Sequence, residues 1–290
     1  MKTLFFLSFT EETIMIENEY FIIPKCFVKD NLDSLEELLP LFCFLQVHKG
    51  IDKCCMATLK ILLEECGYNY ENTRRKTYIS KIIQSLVILR EQQYIYEFNT
   101  LGGDSILDIK QLSNQEIFII ATNSAIIDYT GEGFYRVPVD VYQKIRRAML
   151  SREINIGKVL RVYLYFNGSM FHYKQRDKYG GDEEFKTFIE HNPEYTRKTV
   201  EKICDDLGKG FSEGTVKKII RFFHDNEIIM NRPFYMSDSD IAKKPRRIGT
   251  LFVQYSDYWE VELDAAAKSV RHYFKQNIQN KGGRDKIVTE

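Results

Sequence analysis

The sequence predicts a mainly helical α+β chain in which one plan (helix, helix, turn, helix, two-stranded ribbon) occurs twice. Three observations carry that expectation: an internal echo of short segments, apolar stripes at helical spacing on either side of a glycine, and β-prone runs after the third helix of each half. At 290 residues the chain is long enough to bury two cores without disulfide staples.

The echo opens with Tyr20-Phe21-Ile22-Ile23-Pro24, which returns 114 positions later as Phe134-Tyr135-Arg136-Val137-Pro138. Each is an extended aromatic and aliphatic segment closed by a proline, which stops strand pairing and can open a helix. A first helix follows, about Leu35 to Val47 with Leu38, Leu41, Phe42 and Leu45 on one stripe. Its copy, at a shift of 121, is about Ile156 to Phe166 with Val159, Leu160, Tyr163 and Leu164. The second helix, Thr58 to Gly67, matches Thr199 to Gly208 at a shift of 141, and each ends in a glycine that marks a turn. The third runs from about Lys76 to Gln92, with Ile79, Ile82, Ile83 and Leu86 inward, and from about Ser212 to Asn226, with Val216, Ile219, Ile220 and Phe223 inward. Ser212 has the chemistry of an N-cap.

The exits, Leu89–Ile95 and Phe223–Ile229, correspond at a shift of 134 and lead into strands. In the first half Tyr94 to Phe98 and Ser105 to Ile109 flank Asn99–Gly103, whose glycines suit a hairpin; in the second the strands are Ile228 to Asn231 and Thr250 to Val253. Leu112 to Ile127 is β-prone and caps the first unit, and Trp259 to Phe274, containing Ala265-Ala266-Ala267, reads as a closing helix. The division expected is an extension over 1–18, a first unit over 19–130, a second over 131–276 and a tail over 277–290, with Met15 a second candidate start.

The 41 basic and 41 acidic side chains cancel, so bulk charge argues for no class of partner and only local distribution informs. Six cysteines without a CxxC pair, mostly among apolar neighbours, read as reduced thiols of a cytoplasmic protein. The vicinal Cys54-Cys55 pair near His48 lacks the further ligand that a metal site would need. The apolar run in MKTLFFLSF falls short of a signal-peptide core, and no window holds the ~18 uninterrupted apolar residues of a membrane span. Catalysis finds little support. Phosphate-loop, nucleophile-elbow and HExxH patterns are missing, the five histidines are scattered, and Asp205-Asp206 and Glu183-Glu184 are adjacent helical carboxylates that point apart. The expectation is a non-enzyme with no cofactor.

The three-helix cores leave one face of each third helix outward. In the second half that face carries Ser212, Thr215, Lys217, Lys218 and Arg221. In the first it carries Lys76, Thr77, Ser80, Lys81 and Gln84, introduced by Arg74 and Arg75, with Tyr78 the one aromatic singled out as a groove contact. Lys243, Lys244, Arg246 and Arg247 place four cations around Pro245 in the second ribbon loop. Locally, Lys53 to Arg90 has seven basic and three acidic residues and Tyr195 to Phe252 has twelve and eight, whereas Met1 to Pro40 has three and eight. Cations gathered around both turns suit phosphate contacts, and a basic loop tip suits the backbone or minor groove. Most of the 38 Tyr and Phe side chains lie in helical stripes and read as core, each ring worth roughly 2 kcal/mol or more when buried.

With TVEKICDDLGKGFSEGTVKKIIRFFHDNEII as its clearest stretch, the chain resembles winged helix-turn-helix proteins, and the doubled arrangement resembles plasmid and phage replication initiators. That resemblance implies two winged helix-turn-helix units in tandem, binding successive segments of double-stranded DNA at an origin or operator without chemistry of their own. A replication initiator and a transcriptional repressor stay open at this point, as does a protein-interaction scaffold, suited by the acidic Leu32 to Leu39 segment and overall neutrality. A second copy of the chain and replication or transcription proteins are further candidate partners, and no membrane is.

Overall fold

The computed structural model describes residues 20–50, 52–114, 117–123, 133–149, 155–170, 181–236 and 246–280. Among them are ten α-helices and three small antiparallel sheets, an α+β architecture in which helix predominates. No helix among the described residues is long and apolar enough to cross a membrane.

β1 (Tyr20–Pro24) runs straight into α1 (Lys25–Asp30), because Pro24 at φ −60° ends the strand and suits a helix entry. α2 (Leu35–His48) is buried all round from Leu38 to Leu45, not on the single stripe expected. It is the central rod, touched by neighbours on every side, and a helix so placed must be apolar throughout. Then come β2 (Cys54–Ala57), α3 (Leu59–Glu65), α4 (Arg75–Glu91), β3 (Ile95–Thr100), a 3₁₀ turn (Ile109–Asn114) and β4 (Phe118–Thr122). Alternation along β2 turns Cys55 inward and Cys54 outward, which separates the two thiols.

The second half follows the same order of strands and α-helices through β8, with α7 inserted and α10 added after it. It comprises β5 (Phe134–Pro138), α5 (Val139–Met149), α6 (Ile156–Ser169), the inserted α7 (Asp182–His191), β6 (Thr196–Lys198), α8 (Val200–Leu207), α9 (Glu213–Asp225), β7 (Ile229–Met236), β8 (Arg246–Gln254) and α10 (Trp259–Asn280). The sheets agree as well: β2-β4-β3 in the first half and β6-β8-β7 in the second, so in each the short strand before the helix pair joins the last strand. Threonine opens the second helix in both halves. Thr58 Oγ1 accepts from Ile61 N–H at 3.1 Å and Thr199 Oγ1 from Lys202 N–H at 3.2 Å.

One sequence expectation fails in the first ribbon. Ser105–Ile109 is not a strand; Asn99 and Ser105 make an isolated bridge, and β3 pairs with β4 instead. Ile106, Ile109 and Leu112 are all buried at a spacing of three, which a 3₁₀ turn satisfies and a strand cannot. Asp108 starts that turn by accepting from Lys110 N–H at 3.0 Å. The closing helix expected over Trp259 to Phe274 extends to Asn280, and its Leu263, Ala266 and Val270 cover Met230, Phe234, Leu251 and Val253 on the outer face of the β7–β8 ribbon.

The halves meet reciprocally. β1 pairs antiparallel with β5, Tyr20 opposite Pro138, Ile22 opposite Arg136 and Pro24 opposite Phe134. α2 and α6, 14 residues each, cross where Gly157 sits on Glu36: a Cβ at 157 would lie 2.1 Å from the Glu36 carbonyl oxygen. Only glycine permits that approach. One continuous core takes residues from α2, α3 and α4 and from α5, α6 and α9. Beside it, buried Glu65 of α3 accepts from Tyr142 Oη at 2.9 Å and faces Arg146 Nε at 2.5 Å, both on α5. Burial pushes the Glu65 carboxyl above its ordinary range, against the pull of Arg146 and Tyr142. The expected boundary at 130/131 falls within 124–132, outside the described residues.

Candidate nucleic-acid interface

α9 shows how packing exposes charge. Val216, Ile219 and Phe223 are buried against the core, so helical geometry turns Lys217, Lys218 and Arg221 to the outside. Lys217 is 61% exposed and Arg221 84%. Each has an acidic neighbour one turn away, Lys217 Nζ 2.6 Å from Glu213 and Arg221 Nε 3.5 Å from Asp225. Exposed pairs of this spacing are worth only about 0.3–0.5 kcal/mol, so an incoming phosphate displaces them at small cost. Ser212 caps the helix as expected, its Oγ accepting from Thr215 N–H at 3.2 Å, and the Thr215 hydroxyl lies 3.0 Å from the same atom. Both hydroxyls therefore serve the helix end.

Behind this face a groove of about 740 Å³ runs between α9, the start of α8 and the β7–β8 ribbon. Lys217, Arg221 and Arg247 line it together with Thr199, Asn231 and Thr250, and with the carboxylates of Glu201 and Glu213. β7 and β8 pair from Ile229↔Gln254 to Met236↔Arg246 with a bulge between Phe234 and Tyr235. A bulge adds twist and re-aims the side chains beyond it, and Arg247 is the first of these on β8, its Nη2 donating to Thr250 Oγ1 at 2.9 Å. Arg246 opens β8 opposite Met236. Lys243 and Lys244 lie outside the described residues.

In the first half, Arg74, Arg75, Lys76, Thr77, Ser80 and Gln84 are exposed along the start and outer face of α4. Two other expected contacts have partners on other elements. Tyr78 is half-buried, stacked on Tyr68 with ring centroids 4.2 Å apart, and Lys81, its side chain 48% exposed, has its Nζ 2.7 Å from the buried Glu37 of α2. Glu37 also accepts from Tyr68 Oη, and its hydrogen bond with Lys81 holds that ammonium above its ordinary range. A helical wheel places both residues outward; Lys81 is exposed as placed, whereas stacking on Tyr68 half-buries Tyr78. Arg75 is anchored as well, its guanidinium 3.7 Å from the Tyr70 ring centroid and hydrogen-bonded to Tyr70 Oη.

Sequence reasoning missed Thr199 and Asn231 in the groove, and Tyr70 and Asn72 in the turn before α4, where Asn72 Oδ1 accepts from Arg74 N–H at 2.9 Å. The asparagines of that turn were its legible signal, since Asn bonds locally to backbone N–H groups. The first ribbon, in contrast to the second, has no Lys or Arg in β3 or β4. Comparison of the chain with family models, with curated proteins and with solved structures finds no match.

Proposed function

We propose that the chain binds double-stranded DNA sequence-specifically through two winged helix-turn-helix units, with α4 and α9 as the groove-entering helices and β7–β8 as a basic wing. The observation that carries this reading is the second unit's face: Lys217, Arg221 and Arg247 converge on one groove, outward and displaceable. The shared strand order of the two sheets supports the winged-helix part. The doubled arrangement favours an initiator or organiser of replication in a plasmid- or phage-like element.

A titration on mixed-sequence duplex at about 50 and 200 mM salt tests the binding. Six phosphate contacts predict a loss of affinity on the order of a thousandfold between the two conditions. Absence of salt-dependent binding overturns the reading. It would leave the protein-interaction scaffold, which one feature favours: the outer face of the first sheet, with Met56 at 55% and Tyr96 at 72% exposed, carries apolar side chains in the open where α10 covers the second.

A further inference from the structure

Resting on that reading, we infer that Glu213 is a base-reading residue which, together with Lys217, selects one G·C pair in the bound duplex. A face built only to hold phosphates gains nothing from a carboxylate, yet Glu213 lines the same groove as Lys217, Arg221 and Arg247, and its side chain is 56% exposed. Asp225, the partner of Arg221, differs: it closes α9 at the far end and lies outside that groove. Glu201 also borders the groove, but it belongs to α8, the helix that crosses the DNA backbone in this arrangement, whereas Glu213 opens the helix whose first turn meets base edges. Beside it, Gly214 leaves that turn bare. A Cβ there would meet only Ser212 Oγ at 3.9 Å, so internal packing does not call for glycine, and the missing side chain lets the turn come close to a partner.

Lys217 Nζ and Glu213 Oε2 lie 2.6 Å apart, a donor beside an acceptor. In the major groove a G·C pair offers two adjacent acceptors, guanine N7 and O6, followed by a donor, the cytosine N4 amino group. The ammonium can span the two acceptors while the neighbouring carboxylate accepts from N4–H. An A·T pair sets its donor, N6, between the acceptors N7 and O4, so no two acceptors adjoin. Wherever the matching pair is missing, the same carboxylate repels the phosphates without recompense, which weakens wrong complexes as well as fitting the right one. A carboxylate in the first turn also suits the helix dipole, and its pairing with Lys217 one turn on adds a little to helix stability; neither role carries a base preference.

Selection of the full chain against a random-sequence duplex library supplies the probe, and each position of the enriched site is then changed to the other three base pairs. The parent should show a G·C position at which a change to A·T weakens binding about tenfold or more. Glu213→Gln should reduce that preference to within about threefold while keeping those at other positions, and Glu213→Ala should do the same. On mixed-sequence duplex at about 50 mM salt, both variants should bind more tightly than the parent, because one negative charge leaves the field of the phosphates. Lys217→Met should lose the preference at the same pair yet bind mixed-sequence duplex more weakly. Base preferences of Glu213→Gln and Glu213→Ala equal to the parent's at every position, or a loss at a position that Lys217→Met leaves intact, overturn the inference while leaving DNA binding intact. Failure of any duplex to be enriched overturns both.

Discussion

Gly157→Ala probes the junction of the halves at its closest point. Alanine for glycine near a helix start ordinarily stabilises by about 0.5–1 kcal/mol. Here the new Cβ would lie 2.1 Å from the Glu36 carbonyl oxygen and 2.6 Å from its carbonyl carbon and Cα, backbone atoms that no rotamer change moves aside. Ordinary contact begins at 3.4 Å, so α2 and α6 must separate by about 1 Å at the crossing. A gap of that size forfeits a quarter to a half of each dispersion contact between the two faces, and the neighbours Leu39 and Leu160 are fully buried. The sign therefore reverses, to a net loss of about 2–3 kcal/mol. Urea unfolding followed by circular dichroism reads this as a lower midpoint at unchanged slope. Gly214→Ala is the control, because a Cβ there meets only Ser212 Oγ at 3.9 Å, and it should stabilise by about 0.5 kcal/mol. A Gly157→Ala protein as stable as the parent would refute the close crossing and the reciprocal junction built on it.

Three further outcomes follow from the geometry. Changing Lys217, Lys218 and Arg221 to Ala should cost about 1–3 kcal/mol at each base-contacting position and lower the salt slope by about one per lost phosphate contact; wild-type binding would show that α9 does not enter the groove. Lys81→Met should leave Glu37 with Tyr68 alone and lower stability by less than about 1 kcal/mol, since the Lys81 side chain is 48% exposed and solvent screens the pair; a urea midpoint equal to the parent's at unchanged slope would show that the pair adds nothing. For Glu65, burial raises the folded pKa above its unfolded value of about 4.3, so its contribution to stability is full below that pH and fades as pH rises through the folded value. Glu65→Gln keeps an acceptor for Tyr142 but does not ionise, so its urea midpoint relative to the parent should climb as pH rises above about 4, and a flat difference would argue against an upward shift.

Much of this architecture was legible because helical periodicity is local. The inward stripes of α4, α6 and α9, the Ser212 cap and the turns at Gly67 and Gly208 all follow from residues within a few positions of one another. Strands β2 and β6, of four and three residues, were too short to show alternation. Inserted α7 and helices α1 and α5 had no partner in the echo conspicuous enough to mark them. The first ribbon was misread because glycines at Asn99–Gly103 suggested a tight hairpin, whereas burial of Ile106, Ile109 and Leu112 draws the chain through a turn before it returns as β4.

By itself, then, the amino-acid order determined which segments coil, where they stop, and which side of each third helix is apolar, since those properties depend on neighbours three or four residues away. Only the folded chain decided that α2 meets α6 glycine against carbonyl, that Glu65 is buried against Arg146, that Tyr78 stacks on Tyr68 and Lys81 pairs with Glu37, and that Arg247 joins Lys217 and Arg221 around one groove. Each of those contacts joins elements distant in sequence. Their partners are chosen by how the elements pack, within each half and across the two, and no local window contains that packing.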